Sequence, residues 1–156
     1  MRKWMALGLV LMLASPVKQA MAMFPDEMFR RSDVNHDGYV DVAETKAFAP
    51  VMFREYDSNN DGQIDLDEMI VWLSMHVRGH EGKKMTLPGN AASTIAAVSI
   101  KMMDTNHDGK GSLAEFTAQQ LAFFAMMDTD KDQRLNFAEM TAFYSSDQAK
   151  GAPAAK

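Results

Sequence analysis

The chain has 156 residues, 47% of them hydrophobic, which is enough for one domain or two small lobes around a buried core. Its 21 acidic residues outnumber its 16 lysines and arginines, giving a net charge of -5. Nucleic-acid binding needs clustered basic side chains, so we expect no nucleic-acid partner. The absence of cysteine excludes disulfides, zinc fingers and thiolate catalysis.

Residues 1–22 have the pattern of a cleaved signal peptide. Arg2 and Lys3 precede an apolar run, and residues 20–22 (Ala-Met-Ala) supply a small-x-small cleavage site. The alternative, a retained membrane anchor, would need about 20 apolar residues, and this run is much shorter. We therefore expect a mature chain that starts at Met23, has no stable membrane insertion, and lies in the periplasm or is secreted.

Four twelve-residue segments repeat one acidic pattern. They are residues 33–44, 57–68, 104–115 and 128–139, called loops one to four below. Each has carboxylate or amide side chains at positions 1, 3 and 5 and a glutamate at position 12, and the first three have glycine at position 6. Clusters of Asp, Asn and Gly also build turns without metal, but such turns would not place glutamate at position 12 each time.

This pattern suits calcium, a hard cation that takes six to eight oxygen ligands. Positions 1, 3 and 5 supply side-chain oxygens, position 7 a backbone carbonyl, position 9 often a water-mediated contact, and position 12 a bidentate carboxylate. Glycine at position 6 allows the positive φ of the turn. The predicted ligands are, in loop one, Asp33, Asn35, Asp37, Tyr39, Asp41 and Glu44; in loop two, Asp57, Asn59, Asp61, Gln63, Asp65 and Glu68; in loop three, Asp104, Asn106, Asp108, Lys110, Ser112 and Glu115; in loop four, Asp128, Asp130, Asp132, Arg134, Asn136 and Glu139.

The loops differ in how well they fit the pattern. Loops one and two each have four acidic ligand residues, whereas loop three has three and carries Gly111 at position 8, where we expect the missing side chain to loosen the strand between loops. Loop four has Gln133 at position 6, and its left-handed conformation costs roughly 1–2 kcal/mol. We expect loops one and two to bind calcium more tightly than loops three and four.

The spacing of the loops predicts two pairs in chain order. Short connectors join loop one to loop two and loop three to loop four, so we expect one pair in residues 23–78 and another in residues 91–144. Pro50 is expected to end one helix and begin the next in the first connector. The second connector lacks proline and is expected to be one helix. Apolar residues at i, i+3 and i+4 predict one buried face per helix.

Two segments outside the pairs have a different composition. Residues 79–90 contain glycine, proline and charges of both signs, and we expect a flexible linker. Residues 145–156 are small and polar, and we expect a disordered tail.

From Phe24 to Tyr144 the chain resembles the EF-hand (calmodulin-like) superfamily, in particular exported bacterial EF-hand proteins with four loops in two short-linked pairs. The resemblance implies an all-α fold of two EF-hand pairs, each built of helix-loop-helix units, with short antiparallel β contacts between paired loops and calcium as the ligand. We expect a periplasmic calcium buffer or low-affinity sensor. The alternative is a calcium-stabilised protein-interaction module with an unidentified partner. No phosphate-binding loop or nucleophile motif is present, so we expect no enzyme.

Histidine and methionine side chains suggest two further interpretations. His76 and His80 are four residues apart, as in some zinc sites, but the glycines around them and the lack of a third ligand favour a linker. Most methionines are expected to fill the core. Met75, Met85 and Met102 are the candidates for an exposed surface that grips a partner.

Overall fold

The computed structural model describes residues 25–76 and 90–144. Our expectations for residues 1–22, for most of the linker and for the tail lie outside these residues. None of the helices in the described part is long and apolar enough to cross a membrane. The elements are α1 (Pro25–Ser32), β1 (Val40–Asp41), α2 (Val42–Tyr56), β2 (Gln63–Ile64), α3 (Leu66–His76), α4 (Ala91–Met103), β3 (Gly111–Ser112), α5 (Leu113–Met127), β4 (Arg134–Leu135) and α6 (Phe137–Tyr144). This confirms a mostly helical fold with short antiparallel strand pairs.

Helix α2 runs without a break from loop one to loop two. Pro50 lies inside it, so the prediction that this residue separates two helices is wrong. A proline inside a helix removes the hydrogen bond to the carbonyl four residues earlier. That residue is Lys46, which is exposed, so water can hydrate its carbonyl and the helix continues. The second connector is also one helix, α5, as predicted.

The loops pair across the two halves of the chain. Strand β1 pairs antiparallel with β4, with Val40 opposite Leu135, and β2 pairs antiparallel with β3, with Ile64 opposite Gly111. Loop one therefore pairs with loop four, and loop two with loop three. The predicted pairing in chain order is wrong because each connector is one helix. A 15-residue helix is about 22 Å long, so it holds its two loops too far apart to form a strand pair.

Helices α2 and α5 form the centre of the molecule. They run antiparallel, because the start of α2 lies beside the end of α5 where loops one and four meet. Phe116 of α5 lies between the rings of Phe53 and Tyr56 of α2, with ring centroids 5.8 Å and 5.5 Å away. Helices α3 and α4 pack together beside loops two and three, and α1 packs against α6 beside loops one and four.

Each end of this helix pair has its own apolar core, built from helix faces together with Val40, Ile64 and Leu135 of the strands. The core beside loops two and three contains Phe48, Ala49, Met52, Phe53, Tyr56, Ile64, Met69, Leu73, Ile95, Ala96, Ile100, Met103 and Phe116. The core beside loops one and four contains Phe29, Val40, Phe124, Met127, Leu135 and Met140. Five of the nine methionines among the described residues lie in these cores, in line with the prediction that most methionines fill the core. Met75 is exposed as expected, Met102 is instead half-buried, and Met85 lies outside the described residues.

Candidate metal centres

Position 6 of every loop has a positive φ. The angle is +84° at Gly38, +82° at Gly62 and +82° at Gly109. Gln133 takes the same conformation with φ of 66°, as predicted, although its side chain makes this conformation costly. The turn is therefore kept in loop four in spite of the substitution.

Position 4 also has a positive φ in each loop, a feature not predicted from the sequence. The angles are 59° at His36, 60° at Asn60, 63° at His107 and 62° at Lys131. Asn and His are enriched among non-glycine residues in the left-handed region, and this was the available signal. His36 and His107 are exposed, as expected for outward-facing side chains.

The side chains at positions 1, 3 and 5 are held by the backbone amides of their own loop. In loop one, Asp33 accepts hydrogen bonds from the amides of Asp37 and Gly38, each at 3.1 Å. Asn35 accepts from the amide of Asp37 at 2.8 Å, and Asp37 accepts from that of Tyr39 at 2.9 Å. Loops two and three repeat these bonds. Local hydrogen bonding thus gathers the oxygens of positions 1, 3 and 5 along one side of each loop.

The glutamate at position 12 connects the end of each loop to its beginning. Glu44 is 8% exposed, and its Oε1 accepts from the amides of Val34 at 2.9 Å and Asn35 at 3.1 Å. Its Oε2 accepts from the amide of Asp41 at 3.0 Å, and the Asp41 side chain accepts from the Glu44 amide at 2.8 Å. This reciprocal pair is a capping box that begins α2. Glu68, Glu115 and Glu139 are buried in the same arrangement.

At Glu115 and Glu139 these hydrogen bonds lower the pKa of the carboxyl and favour its charged form. The amide and hydroxyl of Ser112 donate to Glu115 and lower the pKa of its carboxyl to about 2. At Glu139, burial raises the pKa, but the amides of Asn136 and Thr129 are among donors that together outweigh burial and lower it. A buried carboxylate that is already ionised at the loop interior is suited to a cation.

Loop four brings three carboxylates together, and one of their oxygens has no hydrogen-bond partner. Carboxylate oxygens of Asp128, Asp130 and Glu139 lie within 4.8 Å of one another. Asp128 Oδ1 is buried without a hydrogen-bond partner, whereas the corresponding oxygens of the other loops accept the amide of position 5. The Asp132 amide lowers the pKa of Asp130, but desolvation and the neighbouring carboxylates outweigh it, and the pKa is raised. A partnerless buried oxygen among like charges fits a divalent cation.

Gly111 of loop three has a packing role that was not predicted from the sequence. A Cβ at this position would lie 2.1 Å from Sδ of Met103, so the methionine fills the space that a side chain would take. Gly111 and Met103 are both buried, and Ile64 pairs opposite Gly111 in β2. The expected loosening of this strand is therefore wrong, because Met103 supplies the missing packing.

Two family models match the chain. A model of the EF-hand domain pair matches residues 49–121, and a model of the EF hand matches residues 26–49. No curated protein matches the chain. The two matches together cover residues 26–121, and over these residues the chain matches EF-hand domains, which indicate calcium binding. The domain-pair match spans loops two and three, the two loops joined by β2 and β3.

Proposed function

We propose that this protein binds calcium ions through its four loops and acts as a calcium buffer or low-affinity sensor in an exported compartment, the bacterial periplasm or the cell exterior. The observation that carries the proposal is the convergence of Asp128, Asp130 and Glu139 on one point in loop four, the loop that departs most from the sequence pattern. Bound calcium supplies a double positive charge that such a ring of carboxylates stabilises.

The other three loops support calcium binding by repeating one arrangement. Each has a buried glutamate held at the loop interior and acidic side chains fixed by backbone amides. Oxygen donors alone line these positions, and hard cations such as calcium prefer oxygen over the nitrogen and sulfur that zinc and copper favour.

The signal-peptide pattern of residues 1–22 supports export. Extracytoplasmic calcium modules bind at about 0.1–1 mM, which is the affinity range that we expect for the tighter loops. Fractionation of cells that express the full chain, followed by mass measurement of the processed protein, tests this part of the proposal. A product that retains residues 1–22 and stays in the cytoplasm contradicts it.

Calorimetric titration of residues 23–156 with calcium tests binding directly. Each of the variants Glu44→Gln, Glu68→Gln and Glu139→Gln is expected to lose one binding event, because the amide keeps the shape but removes the bidentate carboxylate. Asp67→Asn is the matched control, since Asp67 is exposed, lies beside Glu68, and is not a predicted ligand. A parent protein that takes up no calcium at millimolar concentration refutes the proposed function.

The interaction-module alternative is favoured by one feature of α3. Val71 and Met75 lie one turn apart on this helix and are 48% and 53% exposed. A sensor exposes further apolar surface when calcium binds, which a fluorescent apolar dye detects. A module that calcium merely stabilises gains melting temperature without added dye binding.

A further inference from the structure

The cross-chain pairing places basic side chains of loops three and four against loops one and two. Lys110 and Arg134 occupy the same position, position 7, of loops three and four. In the pair formed by β2 and β3, Nζ of Lys110 lies 3.8 Å from Oδ2 of Asp61, a predicted ligand of loop two. In the other pair, the guanidinium of Arg134 lies 5.5 Å from the ring centroid of Tyr39 in loop one.

Strand register maintains both contacts. Ser112, two residues after Lys110, is opposite Gln63, and Arg134 itself is opposite Asp41 of loop one. The strand hydrogen bonds therefore hold the backbone near each basic residue beside the opposite loop. Loops one and two have Tyr39 and Gln63 at position 7 instead of a basic residue. In each pair, the basic side chain at position 7 therefore reaches from the later loop toward the earlier one and not the reverse.

Charge gives this arrangement a consequence for metal binding. Asp61 Oδ1 already accepts the amide of Gln63 at 2.9 Å, and its Oδ2 faces both Lys110 and the amide group of Asn59, at 3.3 Å. A cation held at the rim of a loop repels a second cation that enters the same loop. The side chains of Lys110 and Asp61 are 43% and 44% exposed, so solvent weakens this repulsion without removing it.

We propose that Lys110 sets the calcium affinity of loop two from across the strand pair, and that Arg134 does the same for loop one. The inference rests on the proposed calcium binding. Both residues lower the affinity of the loop that pairs with their own, and both act on it from the other half of the chain. Neutralising Lys110 is expected to tighten loop two by roughly two- to fivefold, the range of an exposed ion pair.

Calcium titration of isotope-labelled protein, followed by NMR, measures the loops separately. The amides of Gly62 and Gly38 donate to the first aspartates of loops two and one, so their resonances report on these loops. Lys110→Gln is expected to tighten the Gly62 transition and to leave the Gly38 transition unchanged. Arg134→Gln is expected to do the reverse, and both effects are expected to shrink as salt rises toward 1 M.

Two control variants separate a local effect from a change in net charge. Lys110→Arg keeps the positive charge and is expected to keep the parent affinity of loop two. Lys46→Gln removes one positive charge from the exposed face of α2 and is expected to change neither transition. A Lys110→Gln variant that leaves loop two unchanged, or that shifts the Gly62 and Gly38 transitions equally, overturns the inference alone. A parent protein in which neither the Gly62 nor the Gly38 resonance responds to calcium, and which takes up no calcium in calorimetry, overturns the proposed function together with the inference.

Discussion

Replacing Gly111 by valine would put a Cβ 2.1 Å from Sδ and 2.9 Å from Cγ of Met103, closer than non-bonded atoms approach. Met103 is only 2% exposed and packs in the core beside loops two and three, so it cannot swing into solvent. Valine at Gly111 is therefore an overpacked variant, and we expect it to lower the free energy of unfolding by about 1–3 kcal/mol.

The compensating change is Met103→Ala. Alone, it removes three side-chain heavy atoms from the core and is expected to cost about 2–5 kcal/mol. Together with Gly111→Val, which adds three heavy atoms at the same place, the core volume is restored. We expect the double variant to be more stable than the sum of the single effects by about 1–3 kcal/mol.

Denaturant unfolding followed by far-UV circular dichroism measures all three variants, without added metal and in the same buffer. Ala97→Val, on the exposed face of α4, is the control for introducing valine without a crowded neighbour. Either of two results would contradict this packing: a Gly111→Val variant within about 0.5 kcal/mol of the parent, or a double variant whose loss equals the sum of the two single losses.

Three further outcomes are expected. Phe116→Ala should lower the free energy of unfolding by about 3–5 kcal/mol, since Phe116 is 2% exposed between the rings of Phe53 and Tyr56; a loss below about 1 kcal/mol in urea unfolding would contradict this. Cutting the chain within residues 77–89 should leave two fragments that co-elute in gel filtration, because each strand pair uses both halves; two independently folded fragments would argue against this pairing. The lowered pKa of Glu115 stabilises the metal-free protein above pH 4.5, and this part of the free energy of unfolding should be lost as the pH falls from 4.5 toward 2. An identical loss in Glu115→Gln, measured by unfolding over the same pH range, would exclude Glu115 as the cause.

The interior of each loop is predictable from sequence because twelve consecutive residues determine it. Asp33 and Glu44 meet through hydrogen bonds to amides of the same loop, and no distant residue is needed. The same holds for the positive φ of Gln133, which follows from its position in the repeat. Helix faces were predictable for a similar reason, since i, i+4 spacing is a local pattern.

Partner choice among the loops is not local. It depends on α2 continuing through Pro50, although a proline in a helix interior usually ends or kinks the helix. The length of the connector contained a usable signal, because two packed helices and a turn need roughly 20 residues, more than separate Glu44 from Asp57. The fit between Met103 and Gly111 was not predictable, since it joins two residues through a packing arrangement that only the folded core defines.

The span of α2 and α5 has an electrostatic consequence. Their 15 residues hold loops one and four about 22 Å from loops two and three. Physiological salt screens charges over about 8 Å, so a charge neutralised at one end is hardly felt at the other. Exposed charges therefore couple the two ends only weakly, and any coupling between them has to pass through the packing of α2 against α5.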